Sequence, residues 1–74
     1  MKYNLQPGYE YIQLNQLLKL LAIAESGGIA NQIITSGEVF VNGNVETQKR
    51  KKLFPGDQIS IGDQIIDIVS EEDD

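Results

Sequence analysis

The sequence predicts an α+β domain in which two short packed helices are followed by a small, mostly antiparallel sheet. Three observations carry this prediction. Between residues 13 and 36 the apolar residues recur at the three-and-four spacing of a helix. From Val39 onward they alternate with polar residues, the spacing of a strand. The second half is also punctuated by Asn42-Gly43, Pro55-Gly56 and Gly62-Asp63, dipeptides suited to tight turns.

Taken in order, residues 1–8, "MKYNLQPG", contain Pro7 and Gly8 and read as a flexible leader. The alternation in "YEYI", residues 9–12, reads as a short edge strand. In "QLNQLLKLLAIAESGG", Leu14, Leu17, Leu18 and Leu21 fall on one helical face, with Gln13, Gln16 and Lys19 away from it. This predicts a helix from about residue 14 to residue 22, with Gly27-Gly28 preventing a longer one. Ser26 suits the N-cap of a second helix, because its hydroxyl can accept a bond from a free amide of the first turn. Ala30, Ile33 and Ile34 supply that helix's apolar stripe, and Gly37 suits a left-handed stop.

In "EVFVNGNVE", Asn42-Gly43 favours a type I′ hairpin turn, which needs positive φ at both central residues. Pro55-Gly56 suits a type II turn, proline fixing φ and glycine taking the left-handed position. Ile59 and Ile61 alternate, Gly62-Asp63 turns the chain again, and Ile66 with Ile68 forms one face of a last strand. The expected organisation is one domain over residues 9–70, followed by an acidic disordered tail over residues 71–74. There is no internal repeat.

The composition excludes much. A 74-residue chain buries only about 60% of the surface its unfolded form exposes, so its core is thin and leaves no room for a deep catalytic cavity. With no cysteine and no histidine, thiolate and imidazole metal ligands are missing, and so are the commonest general base and the strongest nucleophile. The serines have no base beside them in sequence, and Glu25, Glu38 and Glu46 read as solvated carboxylates. "ESGGIAN" lacks the lysine of a phosphate-binding P-loop. The expectation is a protein that is no enzyme and carries no metal or cofactor. No apolar run reaches the roughly 20 residues that span a bilayer, and "MKYNLQPGYEY" lacks the apolar core of a signal peptide. A soluble, cytoplasmic protein with no membrane partner is therefore expected.

The net charge of −5 is unevenly placed: Glu71, Glu72, Asp73 and Asp74 hold −4 of it. Residues 1–70 carry six basic and seven acidic side chains and sum to −1. Against this background "TQKRKKLF" gathers Lys49, Arg50, Lys51 and Lys52. A second feature suited to an anion is "SGGIANQ". There Ser26 and the amides of Gly27 and Gly28 sit at the positive end of a helix, with Asn31 and Gln32 one turn further in. Each also has a plain reading, the first as a solvated loop and the second as an ordinary capped turn.

Their order along the chain resolves more than either does alone. "LLKLLAIAESGG", "IANQIITSG", "EVFVNG", "TQKRKKL" and "PGDQI" follow one another as in a known family. The chain resembles the S-four RNA-binding domain, the alpha-L motif named after the fourth protein of the small ribosomal subunit. The match covers roughly residues 12–69. The Ser-Gly-Gly form and short length look most like the small stand-alone bacterial members, isolated RNA-binding modules without an attached enzyme.

The resemblance implies that RNA meets a face made by the two helices and the adjoining hairpin loop. Its candidate residues are Lys19, Ser26, Gly27, Gly28, Asn31 and Gln32 on the helical side. On the sheet side they are Asn42, Lys49, Arg50, Lys51 and Lys52. The cations would neutralise phosphates, and Arg50 could chelate one or stack on a base. The glycine amides and Ser26 would position a phosphate, and Asn31 and Asn42 could reach a base edge or a 2′-hydroxyl. Asn42-Gly43 also reads as a turn and nothing more, and one lysine beside Leu53 as merely flanking the core.

The implied partner is a structured RNA, ribosomal or transfer RNA. The alternative is a protein-interaction module on the same fold, its basic run meeting an acidic partner surface. Two features depart from the family. The second helix lacks basic residues, and the sequence pI of about 4.4 is low for a nucleic-acid binder. Tyr9 and Tyr11 are expected to pack in the core or an edge strand. The two readings divide on geometry: whether Lys49 to Lys52 lie on the same side as Ser26 to Asn31.

Overall fold

The computed structural model describes residues 1–70. In chain order it contains β1 (Lys2–Leu5), β2 (Ile12–Gln13), α1 (Leu14–Leu20), α2 (Gly27–Thr35), β3 (Val39–Val41), β4 (Asn44–Val45), β5 (Lys52–Leu53), β6 (Gln58–Ile61) and β7 (Gln64–Ser70). The expected acidic tail lies outside the described residues.

The main sheet has the order β1-β7-β6-β3-β4, and β2 and β5 form a separate two-stranded ribbon. Every pairing is antiparallel except β1 with β7. The turns follow their local chemistry. Asn42 and Gly43 take φ of 52° and 85°, both positive, as a type I′ hairpin requires. Gly56 takes φ of 99° behind Pro55, and the Asp57 amide donates to the Phe54 carbonyl at 3.0 Å, closing a type II turn.

The two helices and one face of the sheet share one core. Leu14, Leu17 and Leu18 of α1 and Ala30 and Ile34 of α2 are fully buried, as are Val39, Leu53, Ile59 and Ile66 from the strands. The period-two pattern leaves the opposite sheet face to Phe40, Ser60 and Ile65.

Three expectations require correction. The flexible leader is instead β1, whose residues Lys2 to Leu5 pair with Asp67 to Ser70. Leu5 is buried, and the ammonium of Met1 donates to the Ile65 carbonyl at 3.0 Å. Pro7-Gly8 forms another type II turn, with Gly8 at φ 91° and the Tyr9 amide donating to the Gln6 carbonyl at 3.1 Å. Second, the strand expected at residues 9–12 is confined to Ile12–Gln13 and pairs with β5, which begins inside the basic run at Lys52.

Third, α1 stops at Leu20, well before the glycines. Ala22 turns left-handed, with φ of 60°. The Ala22 amide donates to the Lys19 carbonyl and the Ile23 amide to the Leu18 carbonyl. These two bonds define a Schellman stop, here built on alanine where glycine is usual. Gly27 and Gly28 instead open α2.

Candidate nucleic-acid interface

The basic run is tied to α1 through its backbone. The first amides of a helix lack an intrahelical acceptor, and Gln13, the N-cap of α1, provides no side-chain bond. The basic run provides acceptors instead: Leu14 N–H donates to the Lys51 carbonyl at 2.9 Å, and Asn15 N–H to the Lys49 carbonyl at 3.1 Å. Anchored there, Lys49 and Arg50 keep exposed side chains, and Lys51 is half-buried.

From α1 the connection continues to α2. Asn15 Nδ2 donates to Asn31 Oδ1 at 3.3 Å. Asn31 lies four residues after Gly27, and Lys19 four after Asn15, so each pair shares one side of its helix. The basic run, Asn15, Asn31 and the glycine-opened start of α2 therefore form one contiguous line, with Lys19 alongside. The backbone of the basic run and the first turns of α2 are thus linked through Asn15 of α1. Gln32, exposed and four residues after Gly28, borders the line.

At the start of α2, Ser26 Oγ accepts from the Ile29 amide at 3.3 Å, so the hydroxyl acts as the helix cap. The amides of Gly27 and Gly28 are the first two of the helix, and its dipole places partial positive charge on them. Neither glycine has positive φ. A Cβ at Gly27 would meet nothing within 4 Å, and one at Gly28 only Ser26 Oγ at 3.8 Å. The fold thus tolerates alanine at both sites, where it would raise helix propensity. What glycine adds is room for another molecule to approach the backbone.

Two candidates are placed differently. Asn42 Nδ2 donates to Asp57 Oδ1 at 3.0 Å, and its Oδ1 accepts from the Gln58 amide at 2.9 Å. Asn42 therefore fastens the β3–β4 turn to the Pro55-Gly56 turn, with one of its two amide hydrogens and one acceptor site of its oxygen used in doing so. Lys52 lies in β5 with its Nζ 5.0 Å from the centroid of the Tyr11 ring, a cation–π contact. Tyr11 in turn leans on Phe54, with centroids 5.7 Å apart and planes tilted by 48°. Tyr11 and Tyr9 are thus not core residues: Tyr11 is half-buried and Tyr9 is 65% exposed.

Asn15 is the residue that reading by stripe overlooked. Its Oδ1 is buried and has no hydrogen-bond partner among the described residues. Its sequence signal is slight: a polar residue in a helix's first turn, off the leucine stripe and four before a lysine.

Residues 5–69 match the family model described as the S4 domain. The chain belongs to the S4 domain family. Among its relatives is "Putative RNA-binding protein YbcJ" of Escherichia coli (strain K12), 37% identical over 62 residues that span 84% of this chain and 89% of YbcJ. Another is "Probable ribosome maturation protein RlbA" of Bacillus subtilis (strain 168), 38% identical over 52 residues, 70% of this chain and 73% of RlbA. The solution structure of YbcJ, described as revealing an alfaL motif involved in RNA-binding, superposes with a TM-score of 0.69 at 35% identity. It covers 92% of this chain and 85% of its own. This S4 domain thus has the two helices and mostly antiparallel sheet of the alpha-L motif. Among its described residues no helix is long and apolar enough to cross a membrane, and no group of three or more His, Cys, Asp or Glu could hold a metal ion.

Proposed function

We propose that this S4 domain is a non-catalytic RNA-binding module that grips structured RNA, ribosomal or ribosome-associated, through its phosphates. The observation that carries the reading is the hydrogen-bonded connection from the Lys49 backbone, through Asn15, to Asn31 one turn into α2. Lys19, Lys49, Arg50 and Lys51 supply charge along it, and Asn31 and Gln32 supply hydrogen bonds suited to a base edge or a 2′-hydroxyl. The glycines leave two unobstructed amides against which a phosphate oxygen can sit directly. The names of YbcJ and RlbA are consistent with this assignment.

The test is binding to structured ribosomal RNA fragments across a salt series. Four phosphate contacts give a slope of log K against log salt of roughly −3. Replacing Lys49, Arg50 and Lys51 together by glutamine should bring it to roughly −1 and weaken binding at low salt. Salt-insensitive binding, or full affinity in the triple variant, would overturn the reading. Equal competition by an acidic polypeptide would favour a protein partner instead.

A further inference from the structure

Beside the ribbon of β2 and β5 lies a cleft of about 580 Å³. It is lined by all three tyrosines of the chain, Tyr3, Tyr9 and Tyr11, together with the amides of Gln13 and Gln16 and one carboxylate, Glu10. We propose that this cleft takes one unpaired nucleobase of the RNA that the basic run holds. The proposal rests on the RNA reading above and adds a ligand subsite to it.

The chemistry of the lining selects the occupant. Flat aromatic rings offer stacking to any base, and side-chain amides can donate to and accept from base edges. No cation lines the cleft, and Glu10 disfavours a phosphate, so a neutral heterocycle suits it and the sugar–phosphate chain does not. The phosphate has a place immediately outside. Lys52 pairs with Gln13 across the ribbon and holds its Nζ 5.0 Å from the ring centre of Tyr11. It follows Lys51, whose carbonyl is bonded to the start of α1. The Tyr11 wall, Lys52 and the basic run are therefore one connected unit, and Phe54 braces the wall at 5.7 Å. Tyr9 also lines the cleft and, at 65% exposed, keeps much of its ring open to a ligand.

The experiment compares a blunt RNA duplex with the same duplex carrying one bulged adenosine. One stacked base is worth about 1–3 kcal/mol, so the wild-type chain should prefer the bulged duplex by at least about fivefold. Tyr9→Leu should erase the preference while leaving affinity for the blunt duplex unchanged; Tyr11→Leu should erase it too, and Tyr11→Phe should keep it. The chain has no tryptophan, and its tyrosines all line the cleft. Tyrosine emission should therefore be quenched by the bulged duplex and much less by the blunt one. Equal affinity for the two duplexes, or a preference that survives both leucine variants, overturns the subsite and leaves the RNA reading standing. Failure of the wild-type chain to bind either duplex overturns both.

Discussion

Replacing Gly27 and Gly28 together by alanine should make the protein more stable and a poorer RNA binder. Alanine is favoured over glycine in a helix by about 0.5–1 kcal/mol, because glycine loses more backbone freedom on folding. Both positions lie in the first turn of α2, where fewer bonds depend on them, so the lower end applies and the pair should contribute about 1 kcal/mol. No compensating clash arises: the nearest atom to either new methyl is Ser26 Oγ at 3.8 Å, an ordinary contact. In a domain this small, about 1 kcal/mol raises the melting temperature by roughly 4–8 °C. The same methyls stand beside the two amides that would face a phosphate. Losing one charge-assisted amide contact of about 1.5–3 kcal/mol should weaken binding roughly tenfold or more. Thermal unfolding by circular dichroism and an RNA titration at fixed salt measure the two effects on one sample. A variant that melts lower would show that the fold requires these glycines. One that melts higher with undiminished affinity would show that no ligand approaches them.

Ala22→Gly should also stabilise, by about 0.5–1 kcal/mol, because the left-handed conformation that costs alanine about 1–2 kcal/mol costs glycine nothing, while glycine's freer unfolded state returns part of the gain. The check is the denaturation midpoint: a lower one would refute the Schellman stop, and RNA affinity should stay within a factor of two. Asn42→Ala should destabilise by about 1–2 kcal/mol, since it removes the bonds to Asp57 and Gln58 and leaves a methyl at φ 52°. RNA affinity measured well below its melting temperature should be unchanged, and a large loss there would return Asn42 to the interface.

The parts of the fold legible in the sequence are those decided by a few neighbouring residues. Asn42-Gly43 and Pro55-Gly56 specify their turns because backbone angles favour those residues wherever they occur. The Ser26 cap and the Gly37 stop bracket α2 for the same reason. β1 was not legible. Its four residues offer only Tyr3 and Leu5 as an apolar pattern, and its partner is the last strand, a pairing set by tertiary closure rather than by any local turn. The end of α1 misled because alanine is a strong helix former, yet Ala22 adopts the conformation of a glycine. The candidate site divides along the same line. The cations and glycines are visible by type, whereas Asn15, which joins them, is visible only once α1 and α2 are packed. Asn42 reads as a base contact by its chemistry, and only the nearby Asp57 and Gln58 show that its side chain also ties two turns together.

If the proposed RNA reading holds, an acidic chain must bind a polyanion, which raises a question of range. Residues 1–70 sum to −1, and the four terminal acids bring the chain to −5. Several body carboxylates are held by the sheet and its turns: Glu46 accepts from the Gln48 amide, Asp57 from Asn42 and the Phe54 amide, and Asp67 from Gln58. At physiological ionic strength charge is screened beyond about 8 Å. A distant RNA therefore meets a nearly neutral body and is not drawn in strongly. Attraction begins only when phosphates come within reach of Lys49, Arg50 and Lys51. Such a surface gives little non-specific binding, because one phosphate on the basic run is a weak contact by itself. In the proposed interface, affinity would accumulate only when an RNA meets the basic run, the Asn15–Asn31 pair and the start of α2 together. The acidity is then compatible with the proposed interface: it would suppress indiscriminate binding and leave selection to the spacing of groups that α1 holds in place.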